Sequence, residues 1–289
     1  MPEPIPPLAE RSKYPSRIVC LASETAETLY LLGEQDRIAG VSGFATRPQE
    51  VRLKPRVSAF RDADIDAILD LKPDLVLTFS DVQAEITRQL VLRGVTVLNF
   101  NQRSIDDILD MIAMLARIVG NEADGLKLIE TLHRGLEETA VSANTLPRRP
   151  RVFFEEWNDP LISGIQWVEE LVEIAGGDVI FPELRRRGKA QDRVVDPAMV
   201  VARDPEVIVA SWCGKKVEKE VIRSRPGWSS ISAVRNDQIY EIESSVILQP
   251  GPASLTEGVR QLYAILARAV GVDAAAAVRP KEMSRPGLL

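Results

Sequence analysis

Two parts of the 289-residue chain repeat the same order of apolar runs and turns. RIVCLA begins at Arg17 and RVFFEEW begins at Arg151, and each is a short apolar run typical of a buried strand. The segments IDAILDLKPDLVLTF, with a turn at Pro73, and PAMVVARDPEVIVASW, with a turn at Pro205, form a second matching pair. The two arginines are 134 residues apart and the two prolines are 132 residues apart. The shared order and nearly equal spacing predict two similar lobes.

Each repeated part alternates predicted strands with predicted helices. In the first part, TAETLYLLG predicts a helix that ends at Gly33, and RIAGVSGF and VTVLNF predict further strands. In the second part, WVEELVEIAGG predicts a helix and QIYEIES predicts a last strand. This alternation at short spacing is typical of parallel βαβ units, so the sequence predicts an α/β protein. We expect an N-terminal lobe over 17–103 and a C-terminal lobe over 148–272.

A helical stretch lies in the sequence after the first predicted lobe. Apolar residues recur at helical spacing from Ile105 onward, and Ser104 is suited to cap the helix. Gly120 interrupts the pattern, which then continues. The remaining predicted boundaries are a helical connector over 104–147, an extended lead-in over 1–16 and a tail over 273–289.

The composition excludes several classes of function. A net charge of −6 and a pI of about 5.2 argue against a nucleic-acid partner, which requires a basic face. His133 is the single histidine, and Cys20 and Cys213 are the two cysteines, which excludes multi-histidine metal sites and a disulfide framework. Glu155 and Glu156 are adjacent in a predicted strand and point to opposite faces. We find no nucleophile–base pair, and therefore predict no catalytic residue, no metal site and no enzymatic activity.

The N-terminal segment MPEPIPPLAERSKYPSR lacks the apolar core of a signal peptide. The longest apolar runs are of strand length, far below the ~20 residues of a membrane-spanning helix. As written, the sequence predicts a cytoplasmic protein, or a periplasmic one if a leader has been removed. We expect the protein to be a monomer.

Aromatic residues are scarce, at 5% of the chain, yet several of them follow predicted strands. These residues are Phe44, Phe79, Phe100, Trp157 and Trp212, with Phe60 and Trp167 in loops. The polar residues Ser23, Glu24 and Arg61 lie close to them along the sequence. Ligands of open α/β sheets bind beyond the carboxyl ends of the strands, so we expect an aromatic-lined binding site. Such a site suits a large, flat or amphiphilic ligand, because rings give broad contact with little loss of rotamer entropy.

Each of these residues also has a purely structural interpretation. A ring at a strand end often covers the hydrophobic core, and a Ser-Glu-Thr turn at Ser23 often caps a helix. His133 lies in a polar predicted helix, where a solvated position is typical. The RRRG run from Arg185 predicts a solvated loop, which could also meet an acidic group of a ligand.

Several segments together resemble a known family. They are RIVCLASETAETLYLLG, IAGVSGFATRP, VSAFRDADIDAILDLKPDLVLTF, RVFFEEWNDPLISG and EIAGGDVIFPE. They resemble the substrate-binding proteins of ABC importers for cobalamin and iron-siderophores, the class III periplasmic binding proteins, and among these the cobalamin binders most. The resemblance covers about residues 17–268. It implies two Rossmann-like lobes joined by a long helix, a ligand held in a cleft between the lobes, and no covalent cofactor.

The resemblance also implies roles for individual residues. Rings that face the corrin in the cobalamin binders match Phe44, Phe60, Phe79 and Trp157. A further tryptophan of the family has no match, and Trp167 or Trp212 would replace it. The family docks onto its permease with one acidic residue in each lobe. Asp66 occupies that position in the first lobe, and Asp196 lies near the matching position in the second.

Three alternatives to a corrinoid-binding importer component stay open. A cytosolic corrinoid carrier or sensor would fit the N-terminus as written. A ferric siderophore or haem would suit Arg47, Arg61 and the arginines 185–187, which could pair with anionic groups. Haem would also need an axial His, Tyr or Cys, and none is well placed. An enzyme on the same scaffold is the third alternative, since a fold does not exclude catalysis.

Overall fold

The computed structural model describes residues 14–59 and 61–273, which form two compact units. Unit 1 comprises the described residues up to Asn101 together with Asp110–Leu128. Unit 2 comprises Gln102–Leu109 and the described residues from Ile129 onward. The sequence predictions for Phe60, for most of the lead-in and for the tail after Asp273 lie outside the described residues.

Unit 1 contains one sheet of five parallel strands in the order β3-β2-β1-β4-β5. The strands are β1 (Ile18–Cys20), β2 (Ile38–Ser42), β3 (Arg56–Ser58), β4 (Leu75–Phe79) and β5 (Val97–Phe100). Its helices are α1 (Ser23–Leu31), α2 (Ile65–Asp70) and α3 (Ala84–Leu92). Strands β1 and β4 are buried along their whole length, as expected for the centre of a parallel sheet. Gly33 takes a φ of 77°, a conformation that favours glycine, just beyond the end of α1.

The predicted helical connector consists of two helices, α4 (Ile105–Ile118) and α5 (Glu122–Ala143). The chain leaves helical geometry at Gly120, which has a φ of 78°. At the start of α4, the Ser104 hydroxyl accepts a hydrogen bond from the Asp107 amide at 3.1 Å. The Asp107 carboxylate in turn accepts from the Ser104 amide at 3.0 Å, which completes a reciprocal cap.

Unit 2 contains a second five-stranded sheet, in which β10-β9-β6-β7 are adjacent and β8 pairs with β6. The strands are β6 (Arg151–Asn158), β7 (Leu161–Ser163), β8 (Asp178–Val179), β9 (Val207–Ala210) and β10 (Ile239–Glu241). Its further helices are α6 (Gln166–Ile174), α7 (Pro197–Arg203), α8 (Lys219–Arg223), α9 (Ser232–Arg235), α10 (Ser244–Ile247) and α11 (Val259–Ala269). A π-helical turn over Ser254–Gly258 precedes α11.

The β6–β7 pair of unit 2 departs from the predicted βαβ pattern. These two strands are antiparallel, with Asn158 opposite Leu161 and Trp157 opposite Ile162. Only Asp159 and Pro160 connect them. A two-residue connection can only form a hairpin, because a parallel crossover requires a dozen or more residues. The second lobe therefore repeats the first only in part.

The repeated arginine of unit 1 stabilises the turn that precedes β4. The Arg17 guanidinium donates two hydrogen bonds to the Leu71 carbonyl at the end of α2, at 2.9 and 2.6 Å. The Arg17 amide donates to the Asp74 carboxylate at 3.0 Å. The start of β1 is thereby tied to the turn at Pro73.

The repeated arginine of unit 2 makes the same contacts. The Arg151 guanidinium donates to the Asp204 carbonyl at the end of α7, at 3.0 and 2.7 Å. The Arg151 amide donates to the Glu206 carboxylate at 3.0 Å. The spacing that the sequence repeats therefore corresponds to the same set of hydrogen bonds in both units.

Candidate functional site

The carboxyl ends of β1, β2, β4 and β5 lie along one edge of the parallel sheet of unit 1. Phe44 follows β2 at this edge, and 40% of its surface is exposed. The Phe44 amide donates to the Ser42 hydroxyl at 3.3 Å, and Ala45 is buried behind it. An exposed ring on a locally bonded turn can contact a ligand with little ordering cost.

Ser23 and Glu24 lie at the same edge, where they form the first turn of α1. Ala22 holds the N-cap position and has no side-chain oxygen, so the predicted Ser-Glu-Thr cap is not formed. Thr25 instead donates from its hydroxyl to the Ala22 carbonyl at 2.7 Å. Ser23 and Glu24 are both buried. Burial also raises the pKa of the neighbouring Cys20 thiol to about 12, which makes this cysteine unreactive.

The other rings of this edge are less accessible. Phe79 and Phe100, the last residues of β4 and β5, are both buried. The Phe79 amide donates to the Gln83 side chain at 2.9 Å, and the Ser80 amide donates to the Phe100 carbonyl. Arg61 is exposed in the loop before α2. Among the described rings predicted as ligand contacts in unit 1, Phe44 has the accessible surface.

Trp157 lies near the carboxyl end of β6 in unit 2. The ring is half-buried, and it packs partly on the hydrophobic core of that unit. Its indole N–H donates to the Asp159 carbonyl at 2.8 Å, which fixes the ring against the hairpin turn. Trp157 therefore combines a fixed orientation with an open surface.

The structure corrects the prediction for Trp167 and Trp212. Their exposed fractions are 3% and 1%, and both indole N–H groups are bonded inside unit 2. Trp167 donates to the Ile247 carbonyl at 3.0 Å, and Trp212 donates to the Glu155 carboxylate at 3.1 Å. Buried indoles whose polar atom is satisfied are typical core residues, so both rings pack inside unit 2.

Glu155 and Glu156 point to opposite faces of β6, as predicted. Glu155 is buried and forms a two-bond ion pair with Arg225, at 2.6 and 2.8 Å. Glu156 forms a similar pair with Arg193, at 2.6 and 3.0 Å. Sequence reasoning missed both arginines, because they lie 70 and 37 residues away and nothing local marks them. Each of the two carboxylates is therefore engaged by a guanidinium group within unit 2.

Both predicted docking carboxylates lie on the surface. The side chain of Asp66, in the first turn of α2, is 82% exposed and contacts Arg93 at 3.4 Å. Asp196 is exposed and caps α7 by accepting from the Ala198 amide at 2.8 Å. Both are therefore accessible to a partner protein.

The described residues contain no group of three or more His, Cys, Asp and Glu side chains that could hold a metal ion. His133 is exposed and lies 3.3 Å from Glu137 on the same helix, as predicted for a solvated residue. Within residues 14–59 and 61–273, no helix has both the length and the apolar character to span a membrane.

Ligands of open α/β sheets bind beyond the carboxyl ends of the strands, where Phe44 and Trp157 lie. The chain belongs to the periplasmic binding protein family, whose profile matches residues 18–246. Its relatives include an ABC transporter substrate-binding lipoprotein and vitamin B12-binding proteins, and as a member of this family the protein is a binding protein and not an enzyme.

Two relatives show the extent of the likeness. An uncharacterised ABC transporter substrate-binding lipoprotein, YvrC of Bacillus subtilis, is 27% identical, with 86% of this chain and 79% of the relative aligned. A vitamin B12-binding protein of Vibrio cholerae is 26% identical, with 86% and 88% aligned. The crystal structure of the periplasmic vitamin B12 binding protein BtuF of Vibrio cholerae superposes with a TM-score of 0.70 at 25% identity. That superposition covers 88% of this chain and 98% of BtuF.

Proposed function

We propose that this protein is the solute-binding component of an ABC importer and that its ligand is cobalamin or another corrinoid. The observation that carries the proposal is the accessible ring surface at the strand ends, from Phe44 in unit 1 and Trp157 in unit 2. A corrin is large and flat, so ring faces offer it wide contact. The names of the relatives, which include vitamin B12-binding proteins, favour the same ligand class.

The proposed ligand contacts fall into two sets. In unit 1 they are Phe44, Arg61, Ser23 and Glu24, with Phe79 at the same edge and Phe60 outside the described residues. In unit 2 the proposed contact is Trp157. Rings would supply apolar contact, and the polar set would bond to groups at the periphery of the ligand. Binding requires no covalent step and no cofactor.

The proposed partner is an ABC permease, which the exposed carboxylates of Asp66 and Asp196 would contact. Two accessible negative charges suit a partner with basic residues at the matching positions. This role places the protein outside the cytoplasmic membrane, as the name of the lipoprotein relative also suggests. The comparisons with relatives give no support to the cytoplasmic location predicted from the sequence as written.

Titration with cyanocobalamin, followed by quenching of tryptophan fluorescence, tests the ligand. We expect saturable binding, and Phe44→Ala should weaken it at least tenfold through lost ring contact. Leu53→Ala is the matched control, because Leu53 is an exposed apolar residue of unit 1 that precedes the start of β3 and not the carboxyl end of a strand. Lack of binding at high micromolar cyanocobalamin would remove corrinoids as the ligand class.

A ferric siderophore is the second candidate ligand. Arg186, Arg187 and Lys189 are exposed in unit 2, and Arg61 is exposed in unit 1. Guanidinium groups bind carboxylates and other anionic oxygen groups well, so these residues favour an anionic ligand. Parallel titrations with ferric siderophores and haem separate the candidates, since binding of one of these without cyanocobalamin binding would reverse the order of preference.

A further inference from the structure

The segment that follows β8 in unit 2 carries a dense run of basic residues. We define the basic segment as residues 185–193, which contain Arg185, Arg186, Arg187, Lys189 and Arg193. Three of these cations, at positions 186, 187 and 189, are exposed. The two arginines at its ends instead turn inward. The basic segment is thus attached to unit 2 at both ends and open to solvent in the middle.

The two end arginines are held by different elements. Arg193 is almost fully buried, pairs with Glu156 of β6 at 2.6 Å and donates to the Ser163 carbonyl at the end of β7. Arg185 contacts the Glu173 carboxylate on α6. Its Nε lies 3.7 Å from the Glu169 carboxylate on the same helix, which is longer than a hydrogen bond.

Glu169 is an acidic side chain that the binding function does not use. It lies near the start of α6 and is 3% exposed. Its Oε2 atom, the Arg185 Nε and the Arg193 Nε are buried and make no hydrogen bond to the described residues. An ionised carboxylate in this position would be costly, because its solvation is lost and only a long contact replaces it.

The pKa of the Glu169 carboxyl is set by its burial and by the charges around it. Burial raises the pKa of Glu169 to about 8, although the charges of Arg185 and Arg193 act in the opposite direction. The negative charge of Glu173 raises it further. At neutral pH the buried group is therefore mostly protonated.

Charged groups on the other elements that pack against α6 are engaged elsewhere. Glu155 of β6 pairs with Arg225, and Asp178 of β8 pairs with Arg149 at 2.8 Å. In the π-helical turn, Glu257 accepts from Gln261 at 3.0 Å. The remaining charged groups of these elements and of α11 are Glu156, Arg151, Arg260 and Arg268. Glu170 lies on α6 itself, and the chain that bonds to α6 at the start of α4 adds Arg103, Asp106 and Asp107. Arg185, Arg193 and Glu173 remain the charges that act on Glu169.

We propose that Glu169 is a protonation-controlled latch for the basic segment. With the carboxyl neutral, the segment stays closed over α6; ionisation of the carboxyl favours release of the Arg185 end, which exposes Glu169 to water. The direction of the pH dependence follows from linkage. The closed form holds a proton on Glu169 that the open form releases, so a higher pH favours the open form. Closure is therefore strongest at acid pH and weakens as the pH rises toward 8. The inference rests on the contacts within unit 2 and is independent of the ligand proposed above.

Hydrogen–deuterium exchange between pH 6 and 9 measures the opening. Amides of the basic segment should lose protection, after correction for the intrinsic exchange rate, by about tenfold per pH unit up to pH 8 and then level off. In Glu169→Gln, which keeps the size of the side chain and cannot ionise, the protection should not change with pH. Glu173→Gln removes a negative charge that raises the pKa of Glu169, so the pH dependence should persist with its midpoint at lower pH.

A second variant keeps the proposal testable if Glu169→Gln does not fold. Arg185→Gln removes a positive charge that lowers the pKa of Glu169, so the midpoint of the opening should move to higher pH. Protection of the wild-type segment that does not depend on pH would overturn the proposal. The same holds if Glu169→Gln retains the wild-type profile, or if Arg185→Gln leaves the midpoint unchanged.

Discussion

Two tryptophans at strand ends of unit 2 have opposite environments, although their sequence contexts are alike. Trp157 ends EEW and stays half-buried, whereas Trp212 ends VASW and is buried with its indole bonded to Glu155. The difference arises from distant residues, because the ion pair of Glu155 with Arg225 brings a buried acceptor to the Trp212 side of β6. A residue of the same type therefore serves packing in one case and recognition, as we propose, in the other.

Alanine substitution separates these two roles. Trp157→Ala should weaken cyanocobalamin binding at least tenfold and lower the free energy of unfolding less than the loss of a fully buried ring would, because the ring is already partly exposed. Trp212→Ala should instead cost about 3–5 kcal/mol of stability, as for a large buried ring. Urea unfolding and ligand titration on both variants check this. If Trp157→Ala instead loses much stability and keeps its affinity for cyanocobalamin, Trp157 is a core residue.

At the scale of elements, each unit ties the start of its central strand to the end of a helix through one arginine. Arg17 bonds to the carbonyl that ends α2, and Arg151 bonds to the carbonyl that ends α7. The carboxylate of the acidic residue after each proline accepts a hydrogen bond from the backbone amide of the same arginine. This arrangement explains why arginine, proline and an acidic residue recur at almost the same spacing.

Because the contacts match, their loss should have matched effects. Arg17→Lys and Arg151→Lys each replace a forked pair of hydrogen bonds with at most one, and should lower stability by about 0.5–1 kcal/mol. Arg88→Lys, on an exposed helix pair with Glu85, is the control and should show no change in urea unfolding. A clear loss in only one unit would mean that the two contacts are not equivalent.

At the scale of the whole molecule, the proposed role requires that ligand binding and delivery depend on different residues. The described rings proposed as ligand contacts lie at strand ends, whereas Asp66 and Asp196 lie at the starts of α2 and α7. Neither carboxylate is needed inside the fold. Asp66 is widely exposed, and the capping bond of Asp196 can equally be made by asparagine.

Asp66→Asn and Asp196→Asn should therefore leave ligand affinity and stability unchanged while they reduce uptake. Each removes one negative charge from the proposed permease contact, and the double variant should lose most transport. Uptake of labelled cyanocobalamin by host cells that carry each variant measures the effect, with binding by the purified proteins as the control. Normal uptake by the double variant would contradict the docking role.

The sequence by itself determined the features that depend on neighbouring residues. Apolar runs located the central strands, Gly33 and Gly120 marked helix ends, and the repeated arginine and proline predicted two related lobes. Phe44 and Trp157 were singled out in the same way, as rings at the ends of apolar runs, whereas Asp66 was predicted from the resemblance to the family.

Only the tertiary structure decided which side chains are buried and which charges meet. Trp167 and Trp212 are interior, and Arg193, Arg225 and Glu169 form buried contacts that no local pattern indicates. The reason is physical: burial and ion pairing depend on residues far apart in the chain, which only the packed units bring together. The same packing buries the carboxyl of Glu169 and raises its pKa to about 8, so that it holds a proton at a pH where a glutamate in an open chain is ionised.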